Sequence, residues 1–179
     1  MANDVILSER LRMPLLTATR MERLLTGDVA SVEAEVGAPL AGWWTEVEWL
    51  VRYRLRQVQE HPTAEPWLLR PIVLHADAPA AIGLINFHGL PDDRGFAEVG
   101  YELHPEHRGH GYAIEAVRAM FDWAAAEHGV RRFRAAIAPG NERSLNLVRK
   151  LGMAHVGAQW DTDDGLELIY TVDDWEPTA

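Results

Sequence analysis

The chain of 179 residues contains no cysteine. That absence removes disulfides, thiolate nucleophiles and cysteine-based zinc sites together, and it fits a reducing, cytoplasmic setting. No apolar run approaches the roughly 18 residues needed to span a bilayer. The opening MANDVILSERLRM lacks the basic-then-apolar order of a secretory leader. Basic residues are scarce beside acidic ones, 17 against 27, which gives a net charge of −10. Nucleic-acid affinity rests largely on neutralising phosphates, so broad nucleic-acid binding is not expected. A cationic partner is compatible with this charge. Internal repeats and low-complexity linkers are also missing, and the length suits a single domain, residues 1–179, with a substantial core.

What is present alternates between helix and strand patterns. Leu11 to Leu15 reads as a strand, and Thr17 or Thr19 caps the helix that ends near Gly27. A longer helix follows Gly42 and runs to about Glu60, with Trp44, Val47, Leu50, Val51 and Leu55 at helical spacing. WLLRPIVLH and AAIGLINFH read as a hairpin, and Phe96 to His104 alternates, with Glu98, Gly100, Glu102 and His104 on one face. A helix from Tyr112 to about His128 ends at Gly129, and RRFRAAIA follows as a strand. A second helix runs from about Glu142 to Leu151, and strand candidates lie near Ala154–Trp160 and Leu166–Val172. This mixture predicts an α/β sandwich.

The turn HPEHRGHGYAIEAV, between strand and helix, concentrates arginine and glycine. Helix N-termini expose unpaired N–H groups and a positive dipole end, which suits an anion. Gly109 and Gly111 remove side chains where an anion would touch the backbone, and Arg108 adds charge. A turn that needs glycine for its dihedrals is the alternative. A P-loop is excluded because no lysine follows Gly111. A dinucleotide fingerprint is excluded because Ile114 stands where a third small residue belongs.

The pattern that fits is R-x-x-G-x-A, from Arg108 to Ala113. With EVGYELHPEHRGHGYAIEAVRAMFDWA before and around it and NERSLNLVRKLGM after it, the chain resembles the GCN5-related N-acetyltransferase superfamily, in its RimJ/RimL-type branch. The resemblance implies a mixed, mostly antiparallel sheet of about seven strands, splayed between the fourth and fifth and flanked by helices. It implies acetyl-coenzyme A as cosubstrate, lying as a pseudo-strand against Tyr101, Glu102 and Leu103. The pyrophosphate would sit on Arg108, Gly109, His110, Gly111, Tyr112, Ala113 and Ile114. Asn141 and Ser144 would contact the pantetheine and thioester. Roughly residues 94–153 would form this core, and roughly residues 1–65 the acceptor side. Relatives often pair through late strands, so a homodimer is implied as well.

The catalytic pair of RimI-type relatives does not carry over, because Ala136 and Val148 occupy the positions of its glutamate and tyrosine. Candidate replacements are Glu98 and His104 as base and Ser144 as proton donor to the thiolate. Those two substitutions also keep open a coenzyme A-binding sensor without chemistry. At pH 7 a lysine amine costs about 4.6 kcal/mol to deprotonate and an α-amine about 1.1 kcal/mol, so a site short of a strong base favours protein N-termini or other low-pKa amines. Trp43, Trp44 and Trp49 fall where the acceptor would bind, although aromatic residues at helical spacing more often belong to a core. The acidic tail, Asp161 to Glu176, reads as a solvated strand edge and a loose C-terminus, with a cation-attracting rim as the alternative; it lacks the spacing of a calcium loop, and no metal is expected.

Overall fold

In this computed structural model residues 4–40 and 42–177 are described; the side chain of Trp43 lies outside them. Eight strands form one sheet in the order β1-β2-β3-β4-β5-β6-β8-β7. They are β1 (Val5–Leu7), β2 (Leu11–Pro14), β3 (Arg70–Leu74), β4 (Ala81–Phe87), β5 (Phe96–Leu103), β6 (Arg132–Ile137), β7 (Ala154–Asp161) and β8 (Gly165–Val172). All neighbours are antiparallel except β5 and β6. The strand beyond the expected seven is β1, whose three residues are too few for an alternation to register. The resemblance's fourth and fifth strands are therefore β5 and β6.

The helices are α1 (Ala18–Leu25), α2 (Val29–Val36), α3 (Glu48–Glu60), α4 (Tyr112–His128) and α5 (Glu142–Lys150). Thr17 caps α1 by accepting from the Arg20 N–H. The helix expected after Gly42 divides into a 3-10 turn, Gly42–Thr45, and α3. The sequence reading missed α2, which buries only Val32 and Val36 and has no side-chain cap at Asp28. Its C-terminus is held from outside: Arg12 on β2 donates to the carbonyls of Val36 and Gly37 at 2.5 and 2.8 Å. Such a distant contact leaves no local signal.

Adjacent residues on a strand face opposite sides of the sheet. Val73 and Leu84 pack with α1, α2 and α3, whereas their neighbours Ile72 and Ile85 pack with α4 and α5. The sheet thus separates two apolar cores. No helix among the described residues is long and apolar enough to cross a membrane.

The parallel seam between β5 and β6 is short. It pairs Phe96 with Arg132, Ala97 with Phe133 and Glu98 with Arg134, and then ends. Beyond Glu98, β5 stays with β4 as far as Leu103 while β6 goes with β8. Beneath the seam Phe121 and Phe133 stack with ring centroids 3.8 Å apart, and Trp175 meets Phe121 edge-on at 5.2 Å. Contacts of this kind add about 0.5–1.5 kcal/mol beyond burial, so the aromatic cluster reinforces a junction with few hydrogen bonds.

Candidate active site

The splay leaves one edge of β5 without a neighbouring strand. Alternate residues of a strand turn their N–H and C=O groups to opposite edges. The Glu98 carbonyl accepts from the His88 N–H on the β4 side, so Val99, Tyr101 and Leu103 present theirs to the gap. One of these groups is already satisfied, because Arg108 Nε donates to the Leu103 carbonyl at 2.8 Å. The arginine expected to serve an anion is thereby also moored to the end of β5.

Past Arg108 the chain needs its glycines twice: Gly109 and Gly111 have φ of 84° and 82°, the left-handed region that other residues rarely adopt. The turn opens α4, whose first N–H groups are free for an anion. The dihedrals alone therefore call for both glycines. A buttress comes from the β1–β2 turn. Ser8 Oγ, Arg10 N–H and Arg10 Nε all donate to the Glu115 carboxylate at 2.7 Å. Arg10 also reaches the His110 carbonyl and lies over the Tyr112 ring.

A cavity of about 590 Å³ follows the open edge and the turn. Every expected cofactor residue lines it except His110, which stacks on Tyr112 instead. Its wall also includes Arg143, Asn146, Leu147 and Lys150 of α5, which the sequence reading did not single out. Arg108, Arg143 and Lys150 face one carboxylate, Glu102, so this wall is cationic in a chain of net charge −10. The signal was present in the sequence: positions 143, 146, 147 and 150 form one helical stripe.

At its inner end this cavity meets a second one of about 220 Å³, sharing Tyr101, Asn141, Ser144 and Leu147 with it. Asn141 caps α5 by accepting from the Ser144 N–H at 3.2 Å. Tyr101 Oη donates to Ser144 Oγ at 3.0 Å. Burial pushes the Tyr101 phenol up and the Ser144 contact only partly offsets it, so Tyr101 keeps its proton. Ala136 and Val148 line this inner chamber with no polar group.

A third cavity of about 610 Å³ opens on the α3 side, and Tyr101 borders all three. Trp49, Tyr53, Asn86, His88, Asp163 and Asp164 contribute to its wall. Trp49 is exposed and Trp44 packs against the core. Of the acidic tail, Asp173 and Asp174 pair with Arg132 and Arg131, and Asp161 accepts from the N–H groups of Asp163 and Asp164. Asp163 and Asp164 are left facing the cavity.

The base candidates fall apart in space. His104 borders none of the three cavities; it sits beside Glu106 and His107 at the start of the turn. Glu98 closes the splay at its paired end, between His88 Nδ1 at 3.3 Å and Arg134 Nε at 3.2 Å. Burial would raise its carboxyl, but the contacts with His88 and Arg134 outweigh that and hold it low. His88 was read only as the end of a strand. Its pairing with Glu98 depends on the β4–β5 register, which no local pattern displays.

The model of the acetyltransferase (GNAT) domain matches residues 21–154. An uncharacterized N-acetyltransferase of Bacillus subtilis, YoaA, is 35% identical over 81 residues, 45% of this chain and 46% of that protein. The chain thus spans about half the length of the curated relatives it matches. Among solved structures, the ribosomal-protein alanine acetyltransferase of Vibrio fischeri superposes with a TM-score of 0.66 at 20% identity, covering 98% of this chain and 100% of that one. RimL, a ribosomal alpha-N-protein acetyltransferase, gives 0.64 at 14% identity over 96% and 99%. Open strand edge, glycine turn and sequence match converge, and the chain belongs to the acetyltransferase (GNAT) family.

Proposed function

We propose that this chain transfers the acetyl group of acetyl-coenzyme A to an amine by direct attack, and that the preferred amine is a protein N-terminal α-amine. The observation that carries the reading is the continuity of three features in one cavity: the open edge of β5, the left-handed glycine turn and the Tyr101–Ser144 pair. A polyamide arm offers N–H and C=O groups matched to the open edge, and a pyrophosphate suits the α4 N-terminus beside Arg108, Arg143 and Lys150. When bound, the thioester supplies an activated acetyl carbonyl. The chain's own groups do the rest. Tyr101 and Ser144 hold a proton where a thiolate would leave, and α3 with the Asp163–Asp164 turn forms the acceptor side. No cysteine is available for an acetyl-enzyme intermediate, which supports direct transfer. Exposed Val156 and Trp160 on edge strand β7 support pairing of two copies along that edge.

The test is a calorimetric titration of acetyl-coenzyme A into wild type and Gly111→Glu, with thermal melts of both to show that the variant folds. Binding by wild type but not by folded Gly111→Glu is expected. Thiol release is then followed with a thiol-reactive dye, to which a cysteine-free protein contributes no background. Binding without release across α-amine, lysine and polyamine acceptors would mean a sensor and would sink the transferase reading.

A further inference from the structure

Resting on that reading, we infer that His88 is the general base for the incoming amine and that Glu98 is its positioning residue. His88 borders both the inner chamber and the acceptor cavity, together with Gly100, Tyr101 and Asp164. A base for this reaction has to reach the amine as it approaches the thioester, and the boundary between those two chambers is that place.

The imidazole is oriented from both ends. Its main chain is fixed by the His88 N–H donating to the Glu98 carbonyl at 2.8 Å. Arg54 Nη1 and Gln57 Nε2 of α3 donate to the His88 carbonyl at 3.1 and 2.8 Å. Its Nδ1 lies 3.3 Å from Glu98 Oε1. A carboxylate at Nδ1 selects the tautomer that keeps its proton there, which leaves Nε2 as the acceptor. Nε2 lies over Gly100: a Cβ on Gly100 would come within 2.6 Å of it and within 3.0 Å of Asn86 Nδ2. Gly100 has no positive φ to explain it, so the glycine makes room for this ring rather than for a turn.

Glu98 itself is poorly placed to act directly. It borders none of the three cavities and its second oxygen faces Arg134 Nε at 3.2 Å. Among the described residues, the charged and titratable groups on His88 or lining its cavities include Glu98, Tyr101 and Glu102 from β5, Arg134 from β6, Tyr53 and Arg54 from α3, and Asp163. The β7–β8 hairpin adds Asp164 and Glu167.

The protons balance as follows. The amine nitrogen forms a bond to the acetyl carbonyl carbon as the carbon–sulfur bond breaks. His88 Nε2 takes the proton the nitrogen sheds. The sulfur receives a proton from the Tyr101–Ser144 pair. Solvent then returns a proton from His88 to that pair, so one proton passes in net from amine to thiol.

The experiment combines an alanine-initiated peptide and acetyl-coenzyme A with His88→Gln, Glu98→Gln and Gly100→Ala. His88→Gln should bind acetyl-coenzyme A as wild type does and lose about 10²–10³-fold in kcat/KM. Gly100→Ala, which displaces the ring, should fall in the same direction with donor binding intact. In the ligand-free protein the ring 15N shifts of His88 report its tautomer directly. The Glu98 carboxylate only accepts, whereas the amide of Glu98→Gln offers a donor or an acceptor, so that variant should mix the two tautomers and lower kcat/KM with donor binding intact. An active wild type with His88→Gln within about threefold of it would overturn this inference alone. A His88 ring that keeps the single Nδ1–H tautomer in Glu98→Gln, with kcat/KM unchanged, would overturn the positioning role. A wild type that releases no thiol with any acceptor would overturn the transferase reading and this inference with it.

Discussion

Tyr101 reaches across the cleft from β5 and donates a 3.0 Å hydrogen bond to Ser144 on α5, the helix that follows β6. This contact joins the two banks at the point where all three cavities meet. Tyr101→Phe removes the proton and keeps the ring. We expect kcat to fall about 10²-fold with little change in acetyl-coenzyme A affinity, as measured by steady-state kinetics beside calorimetry. The phenol is raised by burial, so in wild type any loss of activity from its ionisation should begin above the ordinary tyrosine range.

The Glu115 carboxylate ties the β1–β2 turn to the first turn of α4. Burial acts to raise its carboxyl, yet the donors from Arg10 and Ser8 outweigh it and the net shift is downward from 4.5. A depressed carboxyl contributes stability that is present above the unfolded value and lost as pH falls through the folded one. Wild type should therefore be more stable than Glu115→Gln at neutral pH, and the difference should close below about pH 4.5. Thermal melts of both proteins across pH 3–7 check this, and a constant gap would contradict it.

Arg70 is a buried cation whose role is structural. Its guanidinium donates to the carbonyls of Asp4, Met13 and Pro66, each at 3.0 Å, and lies over the Trp123 ring. Burial pushes its pKa down to about 10, a measure of the desolvation those carbonyls must offset. Arg70→Met would take this donor from the Met13 and Pro66 carbonyls, while the Asp4 carbonyl keeps the Leu15 N–H at 2.7 Å. Urea unfolding should show a loss of about 2–4 kcal/mol, with no change in cleft geometry required.

Asp164 borders the inner and acceptor chambers, and Asp163 borders the acceptor chamber. A cationic acceptor would be drawn toward them. Asp164→Asn should raise KM for an amine peptide several-fold and leave acetyl-coenzyme A affinity unaltered. In wild type, added salt should raise the acceptor KM as well, and the variant should respond less.

The sequence displayed the cavity along the open edge of β5 well and the cavity on the α3 side poorly. Arg108, Gly109, Gly111, Asn141 and Ser144 are close neighbours along the chain, and their spacing is set by one turn and one helix start. The strands β5 and β6 and the helix α4 were also legible, because alternation and glycine caps are local. His88 and Glu98 were not seen as partners, because they meet only through the β4–β5 register. The Arg10–Glu115 buttress joins residues 105 positions apart, and α2 depends on Arg12 from another strand. Side chains that act at long range leave nothing periodic to read.

The short β5–β6 seam has a consequence for how the molecule comes apart. Three residue pairs link a sheet of five strands to a sheet of three. Cooperative unfolding units follow contiguous pairing, so each side can open separately. A ligand lying along β5 would act as the missing rung and fuse the two units into one. Amide exchange should then slow on both β5 and β6 when acetyl-coenzyme A is added, well beyond the residues it touches, and the two halves should melt together.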